Sequence, residues 1–123
     1  MIVIIVAVVV VVRRFSENED VNTEPFRMAI WHYVHRIKGL FHDDYNYAQV
    51  NVWLNRAIKA YVKKLTCAPN TIVKRDFLDM GVALTMQERC HVALLAIEAR
   101  KQAELVYGLH AIMKYQLGSR SQQ

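Results

Sequence analysis

The sequence predicts a mainly α-helical fold built around one short strand, with a helix before the strand and a long helix at the C-terminus. Three observations support this. The hydrophobic period changes from two to about three and a half within residues 45–84. A Thr-x-x-Glu capping signal begins at Thr85, and only four Gly and two Pro occur in 123 residues. So few turn residues argue against an all-β sandwich.

The N-terminal residues 1–14 form an apolar segment. The run from Ile2 to Val12 is unbroken and almost entirely β-branched, and Arg13 and Arg14 follow it at once. As a helix this run would span on the order of 17 Å, well short of the roughly 30 Å hydrocarbon core of a bilayer. Three alternatives remain for this run: a buried strand, a short membrane anchor, or an oligomerisation or aggregation-prone segment. The predicted location is cytoplasmic, with membrane association through this run left open.

Residues 15–25 are polar and acidic and are predicted to be a linker. Residues 26–44 are predicted to contain a helix that runs from Phe26 to Phe41 and ends in a turn. Pro25 suits its first turn, where the missing N–H costs nothing. The predicted inner face carries Phe26, Ile30, Val34, Ile37 and Phe41.

Residues 45–84 contain a candidate strand followed by two helical stretches. Polar and apolar residues alternate from Asn46 to Leu54, which predicts a half-buried strand. Apolar residues then recur at helical spacing, at Leu54, Ile58, Tyr61, Val62 and Leu65 and, after a break at residues 67–70, at Ile72, Val73, Phe77, Met80 and Leu84. The region is predicted to be a strand–helix–turn–helix unit.

This unit resembles the ribbon-helix-helix DNA-binding family of the Arc and MetJ repressor type. The resemblance rests on the strand from Gln49 to Leu54, on the apolar spacing of the first helix, and on the run from Asp76 to Leu78 in the second. It implies a dimer in which two strands pair antiparallel into a ribbon that enters the major groove of double-stranded DNA. Residues 45–84 carry a net charge of +4 out of +5 for the chain, which fits phosphate binding.

The resemblance also implies a set of DNA-binding residues. Gln49 and Asn51 would read base edges, and Trp53 would contact a thymine methyl or the backbone. The backbone amides near Ile72 and Val73 would hold a phosphate at the start of the second helix. Sequence-independent affinity would come from Arg56 and Lys74.

Residues 85–118 are predicted to be one long oligomerisation helix, and residues 119–123 a polar tail. Thr85 and Glu88 fit a capping box, and Gly118 suits a position just past a helix end. Apolar residues lie on several faces of this helix, so we expect it to pack on several neighbours, including another subunit.

No catalytic residue, metal ligand or cofactor is predicted, and the chain is predicted not to be an enzyme. His32 and His35 are three apart on a helix, and Glu88 and His91 match a Glu-x-x-His spacing, but no further Glu occurs between Glu24 and Glu88. The two cysteines lie in no CxxC pattern and are expected to be reduced thiols.

The predicted function is therefore sequence-specific DNA binding by a homodimer or higher homo-oligomer, as a transcriptional regulator or a plasmid-transfer or partition accessory factor. The alternative is a membrane-anchored or virion structural protein with a helical body and no enzymatic activity. In that alternative, residues 45–65 form one continuous helix and the run from Ile2 to Val12 contacts the membrane.

Overall fold

The computed structural model describes residues 22–41 and 43–122. Within these residues the chain forms five α-helices in the order α1 (Glu24–Ile37), α2 (Tyr47–Trp53), α3 (Arg56–Cys67), α4 (Lys74–Leu78) and α5 (Met86–Arg120), with a short 3-10 turn at Pro69–Thr71. The apolar run from Ile2 to Val12 lies outside the described residues, and so does the choice between strand and anchor. No helix in the described ranges is long and apolar enough to cross a bilayer.

The predicted strand is wrong, because residues 47–53 form α2 and the described part of the chain contains no strand. Asn46 caps this helix, since its side-chain oxygen accepts the backbone N–H of Gln49 at 3.0 Å. Val50 and Leu54 are buried at 2% exposure, whereas Val52 between them is 77% exposed. Two buried residues four apart satisfy a helical period as well as a period of two, so the short window did not distinguish them.

A sharp break separates α2 from α3 at Leu54 and Asn55, which both have extended backbone. The side-chain oxygen of Asn55 accepts the N–H of Ile58 at 2.8 Å, and its amide nitrogen donates to the carbonyl of Met80 at 2.9 Å. One residue therefore caps α3 and also fixes the loop before α5. Gly81 in that loop has φ +74°, a conformation that favours glycine.

Helix α1 packs against α5, α3 and α2. Pro25 lies in its first turn, and the helix ends earlier than the predicted Phe41 because Gly39 turns the chain at φ +81°. The hydroxyl of Tyr107 on α5 donates to the carbonyl of Lys38 at 2.6 Å, which satisfies a carbonyl at the helix end. Ile30 and Val34 are fully buried. The C-terminus of α1 is thus fixed to α5.

Helix α5 is half inside and half outside the bundle. It begins at Thr85, whose hydroxyl accepts the N–H of Glu88 while the Glu88 carboxylate accepts the N–H of Thr85 at 2.7 Å. Its buried residues are Val92, Leu95, Ala96, Ala99, Gln102 and Ala103. From Glu104 to Gln122 every residue except Val106 is exposed. Helical hydrogen bonding continues past Gly118, so α5 ends later than predicted.

Candidate functional site

The residues predicted to read DNA lie on the exposed surface of α2. Gln49, Asn51 and Trp53 would share one face of a strand, but in a helix residues two apart point about 200° apart. Asn51 instead accepts a hydrogen bond from the ammonium group of Lys59 on α3. The structure therefore does not bring these three side chains together, and in the described part of the chain no ribbon presents them.

The predicted phosphate site at the start of α4 is occupied by the protein itself. The carboxylate of Asp76 accepts the N–H of Val73 at 3.0 Å and the Nζ of Lys64 at 2.9 Å. The hydrogen bond from Val73, followed by that from Lys64, lowers the pKa of Asp76. Ile72 packs against the hydrophobic core, while Arg56 and Lys74 are exposed.

The histidines on α1 serve the packing between α1 and α5. His35 is buried, with Nε2 3.2 Å from the carbonyl oxygen of Ala99, and its ring contacts Trp31 at a centroid distance of 5.1 Å. His32 meets Phe41 edge-on at 5.2 Å. Burial lowers the pKa of both histidines, and in His35 the hydrogen bond to Ala99 opposes this shift. Both imidazoles therefore favour the neutral form.

The residues between Met86 and Leu94 border a shallow apolar depression of about 250 Å³, lined by Met86, Gln87, Cys90, His91 and Leu94. The carboxylate of Glu88 is engaged in the cap of α5. Among the described residues, no group of three or more His, Cys, Asp or Glu side chains is placed to hold a metal ion. Cys67 and Cys90 are both exposed free thiols.

The feature that best fits a functional surface is a row of exposed apolar side chains along α5. We call it the α5 stripe, and it consists of Leu94, Ile97, Leu105, Leu109, Ile112 and Tyr115, each between 47% and 78% exposed. At 100° per residue these positions fall within one third of the helix circumference, on the side away from the buried residues. From Leu94 to Tyr115 the stripe is about 32 Å long.

The sequence shows apolar residues on several faces of α5 but does not show which face stays uncovered. The signal was present, because the spacing from Leu105 through Leu109 and Ile112 to Tyr115 is helical. Another apolar face, from Val92 to Ala103, has the same kind of spacing. Only the packing of α1 and α3 against α5 shows that the face from Val92 to Ala103 is buried and that the face with the α5 stripe is free.

The chain is similar to proteins of one family. A family model described as "PA26 p53-induced protein (sestrin)" matches residues 5–116. A sestrin homolog of Dictyostelium discoideum is 50% identical over 103 residues, which are 84% of this chain and 17% of that protein. Sestrin-1 of Mus musculus is 43% identical, and Sestrin-2 of Homo sapiens 41% identical, each over 98 residues, 80% of this chain and 20% of the relative. The chain thus spans about a fifth of these relatives. No solved structure matches it.

These matches overturn the ribbon-helix-helix resemblance and what it implied, since no ribbon-helix-helix family was found. The predicted fold class, with a strand paired across a dimer, is wrong, as is the predicted function of sequence-specific DNA binding. The alternative of a membrane-anchored or virion structural protein is not supported either. The predicted partner set, double-stranded DNA with a homodimer or higher homo-oligomer, is also wrong, because the sestrin homologues suggest protein signalling and not DNA binding. The possible membrane contact through Ile2 to Val12 lies outside the described residues.

Proposed function

Since the chain belongs to the sestrin family, we propose that it is a helical module of a stress-induced signalling protein and that it binds another protein through the α5 stripe. The family description names a p53-induced protein, and the relatives are sestrins that extend well beyond the matched region. The proposed role is protein docking without catalysis. The prediction that the chain is not an enzyme stays a prediction.

The observation that carries this proposal is the exposure of the α5 stripe. Leu105, Leu109 and Ile112 are each at least half exposed, on the part of α5 that extends beyond its buried residues. Soluble proteins rarely leave a large contiguous apolar patch in water, and such patches mark interaction sites. A row of apolar residues with helical spacing is the type of surface that another helix or a hydrophobic groove recognises.

The charges on α5 leave the part of the stripe from Leu105 to Tyr115 apolar. Glu104 lies off the stripe and is engaged with Arg100 at 3.0 Å and Lys38 at 3.5 Å. Lys101 is within the stripe, but its ammonium group reaches Glu98 at 3.9 Å. Between Leu105 and Tyr115 the remaining charged residue is Lys114, which points about 160° away from the middle of the stripe. A partner can therefore bury Leu105, Leu109 and Ile112 without desolvating a charge.

The test is site-specific photo-cross-linking in cells under stress, with a photoreactive amino acid at Leu109 and, as a control, at Lys63 on α3. The proposal expects one protein adduct from position 109 that is absent from position 63. The purified partner should then bind the chain at least tenfold more weakly after Ile112→Asp. The matched control is His110→Asp, which introduces a carboxylate about 200° from Ile112.

Two outcomes would contradict the proposal. One is an adduct from position 109 that joins only residues of the same chain, because the stripe would then be covered internally. The other is partner binding that Ile112→Asp and His110→Asp weaken equally, because the apolar face would then have no special part in recognition.

A further inference from the structure

A second exposed surface, on α2 and α3, combines apolar and basic side chains. We call it the Trp53 surface, and it consists of Val52, Trp53, Arg56, Lys59 and Lys63. Val52 is 77% exposed and Trp53 is 42% exposed. We propose that this surface binds an anionic lipid bilayer, which places the module at a membrane surface and goes beyond the protein docking proposed for α5.

The five side chains lie on two consecutive helices, which meet at the break formed by Leu54 and Asn55. On α3, Arg56, Lys59 and Lys63 follow the spacing i, i+3 and i+7 and lie within about 60° of one another. The opposite side of α3 is buried, with Ile58, Tyr61, Val62 and Leu65 in the core. On α2, Val52 points about 200° from the buried Val50. The hydrogen bond from Lys59 to Asn51 joins the two helices side by side.

The charges of the Trp53 surface are not neutralised within the described residues. No acidic residue occurs between Asp44 and Asp76, so α2 and α3 carry none. The one carboxylate that reaches α3 in an ion pair is that of Asp76, and it pairs with Lys64 on the flank of the helix. Lys59 donates to a neutral amide and so keeps its charge available. Three cations without a carboxylate partner among the described residues therefore lie within eleven positions of two exposed apolar side chains.

This combination favours lipid over other anionic partners. The negative surface potential of anionic headgroups attracts basic residues, while tryptophan and small aliphatic side chains enter the interface between headgroups and acyl chains. Nucleic acid would engage the cations through its phosphates, but it would leave Val52 without an apolar partner. The Trp53 surface involves neither the run from Ile2 to Val12 nor a spanning helix.

The experiment is sedimentation of the full chain with vesicles of phosphatidylcholine containing phosphatidylserine at about 30%, against pure phosphatidylcholine, at low and high salt. Binding is expected only to the anionic vesicles and should weaken with salt. The variant Arg56→Ala with Lys63→Ala should bind roughly 25-fold more weakly, at roughly fivefold for each cation. The matched control, Lys114→Ala with Arg120→Ala, removes the same charge from the exposed end of α5 and should bind like the parent.

Tryptophan fluorescence gives an independent readout. Trp31 is 3% exposed, so a blue shift on vesicle binding should come from Trp53 and should disappear in Trp53→Phe. The proposal is overturned by equal binding to neutral vesicles, by equal losses in the two charge variants, or by no binding at all. Selective binding to soluble polyglutamate, with no vesicle binding, would assign the surface to an acidic protein instead. None of these results depends on the α5 stripe, so the two proposals are tested separately.

Discussion

The division of α5 into a packed half and a free half predicts that two similar truncations have very different costs. Ile30 on α1 has 0% exposure in the core formed with α3 and α5, whereas Leu109 on α5 is 60% exposed. Truncating a buried Ile to Ala removes about three methylene equivalents and leaves a cavity, at a cost of roughly 2–5 kcal/mol. Truncating the exposed Leu109 should change stability by less than about 0.5 kcal/mol, since Ala is also a strong helix former.

These costs are large enough to separate by thermal unfolding. For a domain of this size, about 1 kcal/mol shifts the Tm by roughly 4–8 °C, so the cost of Ile30→Ala should lower the Tm by roughly 8–40 °C. Leu109→Ala should leave the Tm within a few degrees of the parent. Urea unfolding monitored by circular dichroism supplies the free energies and shows whether the m-value is unchanged.

The reasoning is refuted if Leu109→Ala destabilises the chain as much as Ile30→Ala. That result would mean that the outer half of α5 is packed in solution and that the α5 stripe is not free to bind a partner. A small effect from Ile30→Ala would contradict the assignment of Ile30 to the core.

Three further predictions concern the helix cap, the buried histidines and the loop before α5. Thr85→Ala should lower the free energy of unfolding by about 1 kcal/mol, and Thr85→Ser should restore it; equal stability of the two variants would exclude the cap. Burial lowers the pKa of His32 and His35 below 6.5. The unfolded chain then binds protons that the folded chain does not, so stability should be full above about pH 6.5 and fall as the pH drops below it. Urea midpoints across this range should show a smaller pH dependence in His35→Gln; an unchanged slope would argue against the shift. Gly81→Ala should cost about 1–2 kcal/mol, because φ is +74° there. Gly108→Ala, with open space around the added methyl group, should stabilise α5, and the opposite ranking in thermal unfolding would contradict this assignment.

The local signals in the sequence identified the starts of α1 and α5 best, whereas both helix ends differ from the predicted ones. The box of Thr85 and Glu88 is present in the structure, and Pro25 lies in the first turn of α1. These signals work because the interacting groups are three or four residues apart and meet whenever the helix forms. The prediction of a strand failed because the spacing of Val50 and Leu54 is compatible with both a strand and a helix.

The candidate sites depended on contacts between distant residues. His35 reaches Ala99, and Asp76 on α4 reaches Lys64 on α3. The sequence showed apolar residues on several faces of α5 and a cluster of cations in α3, but not which of them a neighbouring helix would cover. The predicted DNA-reading role assumed that Gln49 and Asn51 share one face of a strand. In helix α2 their side chains point in different directions.

The sequence by itself determined that this chain is mainly helical, where α1 and α5 begin, and that α5 is long and apolar on more than one side, because hydrogen bonds and hydrophobic periods within a helix are local properties. Only the tertiary structure decided that α2 is a helix and that one face of α5 is buried while the α5 stripe stays exposed. The physical reason is that burial depends on which helices pack together. Helices α1 and α3 pack against α5 although they are far from it in the sequence.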